Sequence, residues 1–409
     1  MGLQKVIMSE MIYFDRVATA QMAPEAKKVI TGLLEDKFGN PSAHVHTAGI
    51  TAGGYIYDAR EKIAKLVNAS PDEIYFTSGA TESNNLAIKG ILSCKKSGKI
   101  IISEIEHYSI LDQLRNPVLD NFDFEVIKVD KNGIVAPDKL EKMITSDTIL
   151  VSIITASPEI GSIQPLKELA QICHKHGVAF HSDASSAVGY IPVDVKDLGV
   201  NMMTISAQTL GGPMGVGALY IDKQTHIKPL FDGGNQEAGT RPGTENVIGI
   251  VGFGAACEAI RPKLAEKSQA LRELGRKLWQ SIEKNVEHIK FTGHPDLRLP
   301  GHVSFWHQFV EGESLLLHLN MKGIMAASGS SCSSNFRGAD EHDLRASHVL
   351  TAVGVPEEFC SGSITFSLDY YNTDKEIEYT VESLKEIANR LLAMSPVYED
   401  YIKEAKRAT

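Results

Sequence analysis

Several short stretches of this sequence hold residue types able to do chemistry together. In "FTSGATESNN" (76–85) a strand runs through a small-residue turn into a helix. The turn amides at Ala80 and the Thr81 hydroxyl could cup a phosphate at the helix N-terminus, or the turn could be only a tight connection. "SEIEHYSILD" sets His107 just past a strand, a place where a lone histidine is more often structural than functional. "HSDASSAVG" ends a strand on Asp183. A carboxylate there can keep a pyridine nitrogen protonated, or merely cap the next helix. In "SGSSCSS", Cys332 lies among serine and glycine, in a segment too small and polar to be core. That suits a mobile thiol, whose thiolate would accept sulfur or ligate a metal, and equally an idle cysteine.

The elements that must position these residues follow a regular alternation from about 20 to 260. "PEAKKVITGLLEDKFG" opens a helix on Pro24 and leaves it before Gly39. "KIIISEIEH" and "TILVSIITA" are β-branched runs of the kind buried in parallel sheets. "QPLKELAQICHKHG" reads as an amphipathic helix closed by Gly177, with "VAFHSD" as the next strand. The pattern predicts a doubly wound α/β sheet with ligands at the carboxyl ends of its strands. From about 263 a long helix, short strands such as "HVSFWH" and "SITFSLD", and a final helix predict a smaller α+β domain. The expected division is 16–262 for the large domain, with 1–15 and 263–409 forming the small one.

The 409 residues suffice for one large and one small domain with a sizeable core. Hydrophobic residues at 43% and charged residues at 22% are those of a soluble globular chain. A formal net charge of −10 disfavours non-specific binding to nucleic acid or anionic membrane. The apolar run "NVIGIVGFGAAC" is cut by Glu258 and is too short to span a bilayer. The N-terminal residues carry no secretory pattern, and Val6 stands where a myristoylation signal has Ser or Thr. Five cysteines without CxxC spacing argue against a disulfide framework or a local zinc site. A reducing cytoplasm is the expected location, with Cys94, Cys173, Cys257 and Cys360 buried or neutral.

Taken in order, "FGNPSAHVHTAG", "FTSGATESNNLAIKG", "EHYSILD", "HSDASSAVGYIPVD", "GGPMGVGALYI", "GTRPGTENVIGIVG" and "SGSSCSS" resemble the cysteine desulfurases of the class V aminotransferase family. The resemblance runs from "YFDRVATA" (13–20) to "FSLDYYNTDKEIEYT". It implies the type I fold of pyridoxal-phosphate (PLP) enzymes and a homodimer whose active sites borrow residues from the neighbouring subunit. Carried over, Ala80 and Thr81 match the phosphate cup, His107 the histidine stacked on the cofactor ring, and Asp183 the partner of the pyridine nitrogen. Ser206 matches a further phosphate contact, and Thr244 the threonine that reaches the phosphate across the dimer. Cys332 matches the mobile cysteine that attacks the substrate sulfur and leaves as a persulfide.

The departures are as specific as the matches. Where the family reads Ser-Gly-His-Lys, "SAQTLGGPMG" has Ser206-Ala207-Gln208-Thr209, so the Schiff-base lysine is Thr209. A threonine hydroxyl cannot form the internal aldimine or shuttle the α-proton near neutral pH. Gln208, still a cofactor-contact position, replaces a histidine, and Met214 offers no substitute amine. The arginine that clamps the substrate carboxylate is Thr365, followed by Asp369, a nearby carboxylate expected to weaken binding of an amino acid further; losing a bidentate charged pair costs ~2–5 kcal/mol. Ser157 and Ser186 replace an asparagine and a glutamine near the ring. The stretch "NFRGADEHDLRASHVL" is longer than its family counterpart and carries Asp340, Glu341, His342 and Asp343. It reads as a solvated loop, or as an altered docking surface or further iron ligands beside Cys332.

The resulting expectation is a lapsed desulfurase. It would serve sulfur transfer or iron–sulfur cluster assembly through Cys332, with a scaffold or sulfur-acceptor protein as partner. One alternative is an enzyme using non-covalently held PLP, or its amine form, on an atypical substrate. The other is a non-catalytic regulatory partner.

Overall fold

The computed structural model describes residues 11–36, 39–329 and 346–408. Twelve strands are described: β1 (Ile12–Tyr13), β2 (Ile74–Thr77), β3 (Gly98–Ser103), β4 (Phe122–Ile127), β5 (Thr148–Ser152), β6 (Ala179–Asp183), β7 (Met202–Ser206), β8 (Gly217–Ile221), β9 (Ile289–Phe291), β10 (His302–His307), β11 (Ile324–Met325) and β12 (Ser363–Ser367). Seven of them form one sheet in the order β2-β8-β7-β6-β5-β3-β4. Neighbours from β7 through β4 are parallel, and β8 runs against both β7 and β2.

Period-two alternation shows why these runs are strands buried on both faces. Ile100 and Ile102 belong to one apolar cluster and Ile101 to the other. Leu150 and Val151, Met202 and Met203, and Leu219 and Ala218 divide the same way. Helices cover both sides, so every strand between β3 and β8 can be apolar throughout.

The apolar run read from the sequence lies in helix Val247–Ile260, packed on helices Pro24–Asp36 and Thr47–Val67. Its glycines set the approach. A Cβ at Gly254 would lie 2.6 Å from the Ala59 Cα, and one at Gly252 would lie 2.6 Å from the Ile30 side chain. Only hydrogen in place of a methyl lets the helices come that close. No described helix is long and apolar enough to cross a membrane.

The smaller sheet is antiparallel, in the order β12-β10-β9, and β1 pairs in parallel with β11. Helices Leu264–Asn285 and Asp374–Leu392 pack beside one another here. The final helical stretch predicted from the sequence is two helices, with Pro396–Ala408 following the longer one. Cys173, Cys257 and Cys360 are buried as expected, but Cys94 is exposed. It falls just past the end of helix Ala80–Leu92, where the chain returns to the surface before β3.

Candidate active site

The carboxyl ends of β2, β3, β5, β6 and β7 open into one cavity of about 460 Å³. Its position is the one expected for ligands of a doubly wound sheet, and its size is within the usual range for small-molecule sites. Ala80, Thr81, His107, Asp183, Ser206 and Gln208 all line it.

Ala80 opens helix Ala80–Leu92 behind Gly79, whose φ of 150° suits glycine. The first amides of a helix have no intrahelical acceptor, so this turn aims free N–H groups at the cavity. Glu82 in the same turn accepts from the Ser78 amide (2.8 Å) and from Arg241 Nε (2.8 Å). Burial opposes its ionisation, but Arg241 and Ser78 outweigh that and hold the carboxyl below its ordinary range.

Asp183 ends β6 and is 2% exposed. Its Oδ1 accepts from the Ser185 amide at 2.8 Å, which closes a local turn; no helix starts there, so the helix-cap role does not apply. Its Oδ2 accepts from Asn84 Nδ2 at 2.7 Å. Asn84 also donates to Ser109 Oγ (2.8 Å), which is 2.8 Å from His107 Nδ1. One network therefore orients the carboxylate and the imidazole together. The sequence reading missed Asn84 and Ser109. The available signal was a polar residue on the helix face that also presents Ala87, Ile88 and Ile91 to the core.

Thr209 is 4% exposed and lines the cavity. Its hydroxyl donates to the Ser185 carbonyl at 2.5 Å, tying the turn after β7 to the turn after β6. Gln208 donates from Nε2 to the Ala18 carbonyl at 3.0 Å. Thr365, in β12, donates to the Glu159 carbonyl at 3.1 Å. No lysine or arginine lines this cavity among the described residues. Ser157 and Ser186 are both on its wall.

Asp369 corrects an expectation. It does not line this cavity but is ion-paired with Arg16 (3.0 Å), so it does not repel a carboxylate here. The chain turns outward after β12, carrying Asp369 to the far side of the β7 turn. Thr244 is exposed and outside the cavity of its own chain. Cys332, and with it Asp340 to Asp343, lies outside the described residues. The described residues Gly329 and Ser347, which flank that stretch, both line the cavity. Ser347 Oγ donates to the Glu159 carboxylate.

Glu106 and Glu159 were not singled out from the sequence, yet both line the cavity and burial pushes each carboxyl up to about 8. Glu106 is fully buried, and hydrogen bonds from Ser103 Oγ (2.5 Å) and the Ile154 amide (2.7 Å) only partly oppose that rise. Its Oε2 has no partner among the described residues. An unfolded glutamate ionises near about 4.3, whereas native Glu106 keeps its proton to about 8. Between those values the native state binds more protons, so this contribution to stability is full at low pH and is lost as pH rises through the upper value. Glu106→Gln is expected to reduce the fall in urea midpoint between about pH 5.5 and about pH 8.5. An unchanged fall would assign the pH dependence to other groups.

A seven-stranded sheet with a single reversed strand, carrying a helix N-terminus and a buried carboxylate at its strand ends, is the type I fold of PLP-dependent enzymes. The chain belongs to the aminotransferase class-V family, whose profile matches residues 12–380. It is 42% identical to the cysteine desulfurase IscS of Dictyoglomus turgidum, over 96% of this chain and 98% of that protein. It is 38% identical to the cysteine desulfurase of Mus musculus, over 95% of this chain and 83% of that one. The solved structure of a NifS-like protein from Rickettsia africae superposes with a TM-score of 0.82 at 33% identity, covering 93% of this chain and 99% of that chain.

The family is PLP-dependent, and the donor set of this cavity fits that cofactor in part. The cup at Ala80–Thr81, Ser206 and the oriented Asp183 suit a phosphorylated pyridine. No described amine is there to anchor it covalently.

Proposed function

We propose that this chain is a desulfurase-like protein that does not carry out ordinary PLP-dependent desulfuration of cysteine. It handles sulfur, or an iron–sulfur cluster, through Cys332. The observation that carries this reading is the cavity wall itself: Thr209 and Thr365, which the resemblance matches to anchor and clamp, both line it, and no described lysine or arginine does. The desulfurase relatives support a sulfur-transfer role. Gly329 and Ser347, described residues on either side of the stretch that holds Cys332, both line that wall.

In this reading residues 16–262 form the cofactor-type domain and residues 1–15 with 263–409 the small one. The protein is a homodimer in which Thr244 contributes to the neighbouring subunit's phosphate cup, and its partner is a scaffold or sulfur-acceptor protein. The Cys332 thiolate attacks the outer sulfur of a low-molecular-mass persulfide. The bond between that sulfur and the donor's inner sulfur breaks, a bond to Cys332 Sγ forms, and the donor leaves as a thiolate.

Anaerobic incubation with such a persulfide is expected to add one sulfur atom to the intact mass. Cys332→Ser should abolish that gain. Cys94→Ser, which removes the exposed thiol among the described cysteines, should retain it. Undiminished loading of Cys332→Ser would overturn the reading.

A second reading is favoured by the Asp183–Asn84–Ser109–His107 network: a cofactor held without a covalent link, as PLP or its amine form, acting on an atypical substrate. PLP supplies, when bound, an electron sink for carbanionic chemistry. Asp183 would hold the ring nitrogen protonated, and the turn amides with Ser206 would hold the phosphate.

A further inference from the structure

Two imidazoles, His107 and His348, line the cofactor cavity, and their hydrogen bonds give them opposite roles. His107 Nδ1 lies 3.1 Å from the Ser109 amide, which can only donate. Nδ1 is therefore an acceptor, the neutral ring carries its proton on Nε2, and what His107 has left to offer is a donor. His348 Nε2 lies 3.0 Å from the Glu106 carbonyl, which can only accept. Here the proton sits on Nε2 and Nδ1 keeps the lone pair, so what His348 has left to offer is an acceptor.

The fold holds the His348 ring from several sides. It opens helix His348–Ala352 behind Ser347, whose hydroxyl caps the Leu350 amide at 3.2 Å. The ring meets Tyr108 edge to face, with centroids 5.0 Å apart. Burial pushes its proton affinity below the ordinary histidine range; the Glu106 carbonyl opposes this and the charge of His107 adds to it. The ring is thus neutral at pH 7 and able to take a proton.

Most other titratable groups on the wall are committed. Glu106 and Glu159 keep their own protons up to about 8. Glu82 is paired with Arg241, and Asp183 accepts from Asn84 and Ser185. Asp15, which burial raises to about 6, is the rival acceptor. We propose that His348 is the proton acceptor of this cavity, its Nδ1 doing what Thr209 cannot. The proposal deepens the reading of a non-covalently held cofactor and rests on it. A C–H bond beside the substrate nitrogen breaks and its proton forms an N–H bond at His348 Nδ1. The electron pair passes into the ring whose nitrogen Asp183 keeps protonated, and return of a proton from His348 leaves the substrate with no net oxidation.

Hydrogen exchange of glycinamide in D2O, with PLP and the full chain, tests it. Glycinamide has two such hydrogens and no carboxylate for a clamp to hold. Exchange of one of the two is expected, because a fixed acceptor stands on one side, whereas PLP in solution exchanges both. His348→Gln, whose amide can still donate to the Glu106 carbonyl, should slow this exchange by about 100-fold or more while PLP still binds. Asp15→Asn should slow it by less than about tenfold. Nitrogen NMR of the histidine-labelled chain without cofactor gives a second readout. The His348 signal, assigned by its loss in His348→Gln, should show a bare Nδ1 at pH 7. A proton on Nδ1, exchange of both hydrogens, no exchange with PLP bound, or undiminished exchange in His348→Gln would overturn the proposal. A larger loss in Asp15→Asn would also overturn it, by giving the role to that carboxylate. PLP that fails to bind in equilibrium dialysis would remove the cofactor reading and the proposal with it, which tells that failure from loss of the acceptor alone.

Discussion

Replacing Thr209 with lysine is expected to let borohydride fix PLP to the chain, where the unaltered protein releases all of it. Thr209 lies on the cavity wall, and its side chain spends its one donor on the Ser185 carbonyl. A hydroxyl forms no stable link to an aldehyde, whereas an amine condenses with it, losing water, and hydride then makes the bond permanent. The longer side chain has room, because the position borders about 460 Å³ of open space. Intact mass should go from no added cofactor to about one equivalent in Thr209→Lys. Peptide mapping should put the label at the substituted position. Stoichiometric labelling of the unaltered protein at another residue within this cavity would reveal a substitute lysine and refute the non-covalent reading.

Asp183→Asn is expected to weaken PLP binding by about 30-fold or more, as truncating one partner of a buried charge pair costs roughly 2–5 kcal/mol. The substitution is nearly isosteric: the remaining carbonyl oxygen can keep the Ser185 amide (2.8 Å), while the new NH2 faces Asn84 Nδ2 and requires that amide to turn and accept. The effect should come from the pyridinium pairing rather than from collapse of the site. Inorganic phosphate discriminates the two causes. In the proposed site it would meet the helix N-terminus and not Asp183, so its affinity should be unchanged in the variant. Equal loss of phosphate and PLP affinity would mean that Asp183 acts through the fold, and unchanged affinity for both would remove it from the site.

Much of this molecule follows from local pattern. The β-branched runs at 99–103 and 148–152 could only be buried strands, and Pro24, Gly39 and Gly177 punctuate helices where expected. What stands at 209 and 365 is equally a matter of sequence, because whether a residue can form an imine or clamp a carboxylate is settled by its atoms before it folds.

Other features depend on which distant segments meet. Asn84 became a site residue only when its helix packed beside β6 and brought it within 2.7 Å of Asp183. Glu106 and Glu159 are ordinary acidic residues on paper. Their displaced proton affinity is a property of burial, which depends on everything packed around them. Asp369, four residues after Thr365, reads as part of the same clamp region, yet the turn after β12 carries it to Arg16 and a second cavity. Sequence by itself determined the architecture and which reactive atoms are available, because periodicity and residue chemistry are local. Only the tertiary structure decided which of those atoms share a cavity, which partners orient them and which are left without one, because contacts between remote segments are set by packing.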